Sequence, residues 1–323
     1  MARILVTGAA GFIGYRTALL LLERGDAVVG VDNMNDYYDV RLKEHRLSGL
    51  TAHPAFTFHR LDIEDAAQVD GLFAAHAFDA VVNLAARAGV RYSMDNPRVY
   101  LATNAAGTLN VLEAMRGHGV RKLVLASTSS LYAGQPTPFV ETLPVNTPIS
   151  PYAATKKAAE VMAYTYHYLY GLDVTVLRYF TVYGPAGRPD MSIFRFIRWI
   201  DEGRPIEMMG DGSQTRDFTY VDDIARGTVL GLRDVGYEVI NLGGGGVPVS
   251  MNRVLARLGK LLSREPVVDR RPFHKADLKE TSADISKAGK LLGWKPEVGL
   301  DEGLLRTVQW HLANRELALS IAL

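Results

Sequence analysis

The chain has 323 residues, 48% of them hydrophobic and 22% charged, which is typical of soluble globular proteins and is long enough for two closely joined domains. Its 36 basic and 35 acidic residues give a formal net charge of +1, so we expect neither nucleic acid nor an anionic membrane surface as a partner. Cysteine is absent, which excludes disulfides, thiolate catalysis and cysteine metal ligands; we predict no metal site and expect a reducing, cytoplasmic location.

The first residues are apolar, but glycines interrupt the run, so they predict a strand, a turn and a helix start rather than a signal peptide. Short apolar runs then alternate with segments of helical length. Continuous apolar runs are typical of parallel strands covered on both faces, and their alternation with helices predicts an α/β fold with a doubly wound parallel (Rossmann) sheet. The predicted strands lie at 4–6, 27–31, 80–84, 122–126, 174–178 and 238–242.

From about residue 184 the composition changes, because proline and glycine become frequent and arginines and aromatics are interspersed. This composition predicts a smaller, loop-rich α/β substrate domain. We assign residues 1–183 and about 217–247 to the dinucleotide-binding domain. Residues of about 184–216 and 248–323 are assigned to the substrate domain.

The segment after the first predicted strand has the spacing GxxGxxG and opens a predicted helix. Glycines there permit a tight turn and let the backbone approach a pyrophosphate at the positive end of the helix. A glycine-rich turn without a ligand is the alternative, which the flanking strand and helix disfavour. The motif residues predicted to bind the dinucleotide are Gly8, Gly11, Phe12, Ile13 and Gly14.

Asp32 ends the second predicted strand, where a carboxylate can accept both ribose hydroxyls of the adenosine and would repel a 2′-phosphate. The next residue, Asn33, supplies no cation, so NAD is favoured over NADP. Asp62, followed by Ile63, comes just after a further strand, which is expected between the predicted strands at 27–31 and 80–84. Asp62 is predicted to face the adenine. A helix N-cap is an equally good interpretation of Asp62.

Tyr152 and Lys156 are spaced i and i+4, which places them one turn apart on one face of a helix whose start is predicted by nearby prolines. An ammonium beside the phenol favours the phenolate, so we predict a lowered pKa for Tyr152 and a role in proton exchange. Lys156 is also predicted to hold the nicotinamide ribose. Two ordinary helix residues are the alternative, since this spacing is common by chance.

Four hydroxyl residues, 127–130, follow a predicted central strand at the edge where ligands bind in such sheets. Hydroxyls are costly to bury without partners, and a polar ligand would provide them. A serine-rich turn is the alternative.

Taken together, the glycine motif, Asp32, the segment 83–86, the Thr128/Tyr152/Lys156 set and the segment 178–180 resemble the extended short-chain dehydrogenase/reductase family over nearly the whole chain. Members of that family epimerise, dehydrate or decarboxylate nucleotide sugars with bound NAD. The resemblance implies that Thr128 hydrogen-bonds the reacting hydroxyl, Tyr152 is the acid/base and Lys156 activates it. The further NAD-binding residues that it implies are Leu84, Ala85, Ala86 and Tyr179.

The reaction is narrowed by comparison within the family. Dehydratases place Asp-Glu directly after the threonine, whereas this chain has Ser129 and Ser130, and the Glu usual in decarboxylases is missing from this stretch. The segments 178–191 and 89–93, which contain Gly89 and Arg91, resemble those of UDP-glucuronate 4-epimerases. Ala133 and Ala186 depart from that pattern, which has Gly and Trp there.

The resemblance therefore implies NAD-dependent 4-epimerisation of UDP-glucuronate through a 4-keto intermediate. That intermediate is a β-keto acid, so the enzyme must restrain its carboxylate to prevent loss of CO₂. Hydroxyls and one guanidinium are suited to this through charge-assisted hydrogen bonds, although a solvated surface arginine is the alternative for the latter. The residues predicted to bind the uronate are Ser129, Ser130, Thr181 and Arg188.

The UDP group needs cations as well. Arg216 resembles a pyrophosphate-binding arginine of the family. Arg195 is a second candidate, with an exposed helix face as its alternative interpretation, and Lys275 is a third candidate. The helices near 102–115 and 153–170 are predicted to pair across a two-fold axis in a homodimer, although packing inside the monomer explains their apolar residues equally well. Three alternative functions stay open: a UDP-glucose/UDP-galactose 4-epimerase, a UDP-glucuronate decarboxylase and a non-catalytic NAD sensor.

Overall fold

The computed structural model describes residues 1–273 and 277–323, and seven of its strands form one central sheet. In chain order the strands are β1 (Arg3–Thr7), β2 (Ala27–Asp32), β3 (Phe56–Arg60), β4 (Ala80–Asn83), β5 (Lys122–Thr128), β6 (Asp173–Tyr179), β7 (Thr181–Tyr183), β8 (Ile206–Met209), β9 (Thr215–Arg216), β10 (Phe218–Tyr220), β11 (Tyr237–Leu242), β12 (Val249–Ser250) and β13 (Val268–Arg271).

Helices cover both faces of this sheet and form much of the second half. The α-helices are α1 (Phe12–Glu23), α2 (Val40–Thr51), α3 (Ala66–Ala75), α4 (Val90–Asp95), α5 (Pro97–Tyr100), α6 (Thr108–Gly117), α7 (Pro151–Tyr170), α8 (Ser192–Glu202), α9 (Val221–Leu230), α10 (Met251–Leu261), α11 (Ser286–Leu292), α12 (Leu300–Ala313) and α13 (Arg315–Ser320). A π-helical segment, Leu101–Gly107, precedes α6, and a 3₁₀ turn, Ser129–Tyr132, follows β5. None of the helices in the described ranges is both long and apolar enough to cross a membrane.

Seven parallel strands form the central sheet in the order β11-β6-β5-β4-β1-β2-β3. The predicted doubly wound α/β fold is therefore confirmed. The chain runs outward from β1 to β3 and then returns to build the other side from β4, so the strand order reverses between β1 and β4. Such a reversal opens a crevice at the carboxyl ends of the two strands, where ligands bind.

The strands are apolar because both faces of the sheet are covered. All seven residues of β5 are buried, as are all four of β4. One hydrophobic cluster packs α3, α6 and α7 on one face, and a second packs α1 and α9 on the other. The scaffold beneath the crevice is thus rigid on both sides, which fixes the ends of the strands in place.

Local signals explain the boundaries of α7, the longest helix. Ser150 accepts a hydrogen bond from the backbone N–H of Ala153, Pro151 occupies the first turn, and Gly171 ends the helix with φ +67°. The predicted helix at 102–115 differs, because its first half is π-helical. There Asn104 donates to the Arg87 carbonyl and to Thr155 Oγ1, which binds the wide turn to two neighbouring segments.

The second half contains its own hydrophobic cluster, formed by α8, α10 and α12 with the parallel pair β8–β13. Trp294, just after α11, belongs instead to a cluster beneath the central sheet, and its indole donates to the Asp223 carbonyl at 2.8 Å. The chain therefore returns to the central sheet after residue 248. The division at residues 184, 217 and 248 stays a prediction.

Candidate active site

A cavity lies at the carboxyl ends of β1, β2, β4, β5 and β6, on the side where the strand order reverses. It brings together most of the residues that the sequence predicted to bind cofactor or substrate. Those that line it are Gly8, Gly11, Phe12, Ile13, Gly14, Asp32, Asn33, Asp62, Ile63, Leu84, Ala85, Ala86, Gly89, Thr128, Ser129, Ser130, Tyr152, Lys156, Tyr179, Thr181 and Arg188.

The glycine motif leaves no space for side chains. Gly8 has φ +68°, and a Cβ on it would lie 2.9 Å from the Ala85 nitrogen. A Cβ on Gly14 would lie 2.0 Å from the Gly8 carbonyl oxygen, so the helix can approach the loop only because this residue is glycine. Helix α1 begins after Gly11 without a side-chain cap, so its first N–H groups can bind an anion. The motif thus fits the diphosphate of a dinucleotide.

Asp32 is buried at the end of β2, where its Oδ1 accepts a hydrogen bond from the Met34 backbone at 2.9 Å. Lys43 on α2 lies 3.4 Å from the same oxygen, and both side chains are almost fully buried. Lys43 was not among the residues predicted from the sequence, because it comes from the helix after the carboxylate. Lys43 balances the charge of Asp32 within the cavity lining.

Asp62 also lies in the cavity, but its oxygens are already engaged: Asn33, in the loop after β2, donates to Oδ2 at 2.7 Å, and the Glu64 backbone donates to Oδ1 at 3.0 Å. The alternative interpretation of Asp62 as a helix N-cap is wrong, because Asp65 caps α3 by accepting from the Gln68 backbone.

Tyr152 and Lys156 project from the first turns of α7 into the cavity. Burial raises the pKa of Tyr152, while a hydrogen bond with Thr128 and the charge of Arg188 oppose that rise. The prediction of a lowered Tyr152 pKa is therefore wrong for this structure, since desolvation of the phenolate outweighs the favourable contacts. Burial also lowers the pKa of Lys156, to about 8, against the charge of Glu160.

Glu160, one turn beyond Lys156, was not predicted. Its Oε1 accepts from Ser127 Oγ at 2.6 Å and from Arg178 Nε at 2.9 Å, and its Oε2 accepts from Arg178 Nη2 at 2.8 Å. Burial opposes ionisation, yet the hydrogen bonds and charge of Arg178 lower the pKa of Glu160. The i+4 spacing from Lys156 was an available signal, because it places Glu160 on the same helix face.

The hydroxyl cluster is ordered by its own turn. Thr128 Oγ1 accepts from the Ser130 backbone at 3.1 Å and donates to Ser130 Oγ at the same distance. Thr128 and Ser129 are buried, and both line the cavity with Ser130 and Thr181. The interpretation as an ordinary serine-rich turn does not account for their convergence on Tyr152.

Arg188 lines the same cavity with its side chain only 19% exposed, so the alternative of a solvated surface arginine is wrong. Asp190 accepts hydrogen bonds from its Nε at 3.0 Å and its Nη2 at 2.5 Å. Burial works against the charge of Arg188, but Asp190 outweighs it and raises the pKa of the guanidinium. The ring of Tyr37 lies 5.8 Å from this guanidinium. Neither Asp190 nor Tyr37 was predicted from the sequence as a site residue.

Arg91, Arg195 and Arg216 are not in the lining of the cavity, and Arg91 is close enough to the other two to act on their pKa. Burial and the charge of Arg91 lower the pKa of both Arg195 and Arg216. Arg91 pairs with Asp277 at 2.5 Å. Among the described residues the buried Nε of Arg195 has no hydrogen-bond partner, so this donor is available to an acceptor such as a phosphate oxygen. Lys275 lies outside the described residues.

Comparisons with known proteins agree with this geometry. Residues 4–243 match the model of the NAD dependent epimerase/dehydratase family. The chain is 58% identical over 321 residues to a UDP-glucuronate 4-epimerase of Thermodesulfobacterium geofontis, with 99% of each chain covered.

Solved structures are similar along nearly the whole chain. UDP-glucuronic acid 4-epimerase from Bacillus cereus, in complex with UDP-glucuronic acid and NAD, has a TM-score of 0.91 and 37% identity over 96% of this chain and 99% of that one. UDP-glucose 4-epimerase from Thermotoga maritima, with UDP-glucose, has a TM-score of 0.87 and 32% identity over 97% of this chain and 99% of that one.

Proposed function

The chain belongs to the NAD dependent epimerase/dehydratase family, and we propose that it interconverts UDP-glucuronate and UDP-galacturonate by inverting C4 of the sugar, with NAD as cofactor. One observation carries the proposal: a single cavity places Tyr152, Thr128 and Lys156 beside Arg188 and the hydroxyls of the β5 turn. The first set is suited to moving a proton at a sugar hydroxyl. The second is suited to binding a carboxylate.

The residues present fit NAD. The glycine motif has no room for side chains at Gly8 and Gly14, which leaves its backbone open to a diphosphate, and Asp32 stands where the ribose hydroxyls of the adenosine are expected. When bound, NAD accepts the hydride from C4 of the sugar and returns it to the opposite face of the same carbon. Lys156 holds the ribose next to the nicotinamide.

Tyr152 takes the proton from the C4 hydroxyl and gives it back after the 4-keto sugar has turned over in the cavity. Thr128, which lines the same cavity as Tyr152, donates to or accepts from the same hydroxyl and so fixes its direction. Lys156 stabilises the phenolate by its positive charge. The burial that raises the pKa of Tyr152 makes this charge necessary.

The 4-keto uronate loses CO₂ readily when the bond to its carboxylate stands perpendicular to the carbonyl plane. Arg188 and the hydroxyls of Ser129, Ser130 and Thr181 hold the carboxylate away from that orientation by charge-assisted hydrogen bonds. The UDP group is held by Arg91, Arg195 and Arg216, of which Arg195 offers the unpaired buried donor. Rotation of the sugar about this fixed UDP presents its other face.

The test is a product analysis. The purified protein is incubated with UDP-glucuronate and, in parallel, with UDP-glucose, and the products are separated by anion-exchange chromatography. UDP-galacturonate from the first substrate supports the proposal. A pentose nucleotide would assign a decarboxylase, UDP-galactose from the second substrate alone would assign a hexose epimerase, and no conversion of either would leave a non-catalytic NAD-binding protein.

We also propose that two copies pair through α7. Along this helix Val161, Tyr164, Tyr168 and Leu169 are 51%, 50%, 75% and 58% exposed, and Leu101 on the adjacent π-helical segment is 60% exposed. Exposed apolar side chains that gather on one face of a helix are typical of an interface. Tyr168→Glu should turn a dimer into a monomer in light scattering, and a wild-type monomer would refute the pairing.

The absence of cysteine supports a cytoplasmic location.

A further inference from the structure

Arg46, on α2, is a fully buried arginine outside the machinery described so far. A buried guanidinium is costly unless its donors are satisfied. The hydrogen bonds made by Arg46 all go to neutral oxygens, namely three backbone carbonyls and one phenol. Such a group is not explained by an ion pair, so the segments that it contacts must account for it.

Those segments belong to two different parts of the site. Nη1 donates to the carbonyl of Ala10, inside the glycine motif, at 3.2 Å. On the other side, Nε and Nη2 donate to the carbonyl of Ala186 at 3.0 and 2.7 Å, and Nη2 reaches Gly187 at 3.2 Å. Arg188 follows directly in the chain. One planar guanidinium therefore joins the dinucleotide cradle to the loop that carries the proposed uronate ligand.

The loop needs an external support at this place. Ala186 has φ +51°, a conformation that residues other than glycine rarely adopt and that persists only when the surroundings hold it. The two hydrogen bonds from Arg46 converge on the carbonyl of this same residue. The Ala186 side chain is buried beside Leu42, one turn before Arg46.

The guanidinium is itself held in place from the cofactor side. The ring of Phe12, within the glycine motif, lies 6.0 Å from it, and the ring of Tyr38 lies 5.5 Å from it. The Tyr38 hydroxyl accepts a hydrogen bond from Nη1 at 2.6 Å. The position of Arg46 thus depends on the cradle, and the position of the 186–188 loop depends on Arg46.

We propose that Arg46 is a positioning residue that couples the dinucleotide cradle to Arg188, so that preference for a uronate over a neutral hexose requires its planar fork. The inference rests on the proposed function, since it takes Arg188 as the carboxylate ligand. A lysine cannot replace the fork, because one ammonium cannot donate in fixed directions to carbonyls on both sides.

The test is a double-mutant cycle on ligand selectivity. Dissociation constants of UDP-glucuronate and UDP-glucose are measured by calorimetry in the NAD-loaded protein for the wild type, Arg46→Lys, Arg46→Met, Arg188→Ala and the Arg46→Lys/Arg188→Ala double variant. Each Arg46 variant should reduce the preference for UDP-glucuronate by about tenfold. Adding the Arg46 change to Arg188→Ala should reduce it no further, because the arginine that Arg46 positions is already gone.

A matched control is Arg264→Met, which also removes an arginine that donates to backbone carbonyls, here those of Ile200 and Asp201 in the second half. It should leave the preference unchanged. Arg46→Lys retains the charge, so the cycle stands on it if Arg46→Met fails to fold. An unchanged preference in Arg46→Lys, or losses that multiply in the double variant, would overturn the coupling. A wild type that does not prefer UDP-glucuronate would instead overturn the proposed function.

Discussion

Two arginines ten positions apart, Arg178 and Arg188, each form a bidentate pair with a carboxylate, yet the two pairs lie in different surroundings. The buried pair, Arg178 with Glu160, has side chains 3% and 2% exposed. The open pair, Arg188 with Asp190, has side chains 19% and 35% exposed and borders the cavity. The same chemistry thus supports the scaffold in one region and meets the ligand in the other.

The difference follows from position in the fold. Arg178 lies near the end of β6, where it donates to Glu160 and to the Tyr132 hydroxyl. Ser127 also donates to Glu160. Arg188 lies on the loop after β7, where one edge of its guanidinium donates to both oxygens of Asp190. We therefore expect the buried pair to control stability and catalytic groups, and the open pair to control which sugar binds. Four changes test this division, in order of expected effect.

The largest effect is expected at Tyr152, the proposed proton carrier. Tyr152→Phe removes the proton carrier but keeps the ring, so turnover of UDP-glucuronate should fall by about 10²–10⁴-fold. Affinity for UDP-glucuronate should change little, because the carboxylate and UDP ligands remain. Product formation by chromatography and binding by calorimetry measure the two quantities. A Tyr152→Phe variant with wild-type turnover would remove Tyr152 from the mechanism.

Stability should separate the two pairs next. Glu160→Gln leaves Arg178 buried without its counter-charge and should lower the free energy of unfolding by about 3–5 kcal/mol. Asp190→Asn, the same change at the open pair, should lower it by less than about 1 kcal/mol, because the Asp190 side chain is 35% exposed and its charge is partly screened by solvent. Urea unfolding followed by circular dichroism compares them. Equal losses would mean that exposure does not distinguish the two pairs.

Ligand selection should show the reverse order. Arg188→Ala should weaken UDP-glucuronate binding by roughly 10–100-fold, the range expected when a hydrogen bond to a charged group is lost. Binding of UDP-glucose, which carries no carboxylate, should be nearly unaffected. Calorimetry with both nucleotides measures the ratio. An equal loss for the two sugars would assign Arg188 to the UDP group or to structure instead.

Much of this site could be predicted from sequence because its signals are local. The glycine spacing, the carboxylate ending a strand and the Tyr152/Lys156 spacing each lie within one element and its neighbours. The central sheet was predicted from the apolar runs, which are also local, and it is present. The predicted family and NAD as cofactor are confirmed as well. Local periodicity is sufficient where one face of one element decides the outcome.

Residues that depend on contacts between distant segments were missed. Lys43 meets Asp32 only because α2 packs against the end of β2, and Arg46 donates to the carbonyl of Ala186, which lies 140 positions later in the chain. The predicted direction of the Tyr152 pKa shift was wrong for the same reason, since burial depends on the whole fold. The π-helical turn at Leu101–Gly107 also had no local signal, because Asn104 is engaged by Arg87 and Thr155 from elsewhere.

The smallest effect expected is a shift in the pH profile, and it links the buried pair to catalysis. Lys156 has a pKa of about 8 because burial lowers it while the charge of Glu160 raises it. As the pH rises through about 8 the ammonium loses its proton, so kcat should fall on the alkaline side. Glu160→Gln removes the charge that raises this pKa, and the alkaline fall should therefore move to lower pH. Asp190→Asn should leave the fall where it is, since the open pair is not among the groups that shift Lys156. The measurement is kcat between pH 6 and 10, at a temperature where circular dichroism confirms that each variant is folded. An alkaline fall that stays in place in Glu160→Gln would show that the buried pair acts on stability alone, and one that moves in both variants would show that the two pairs are not electrostatically independent.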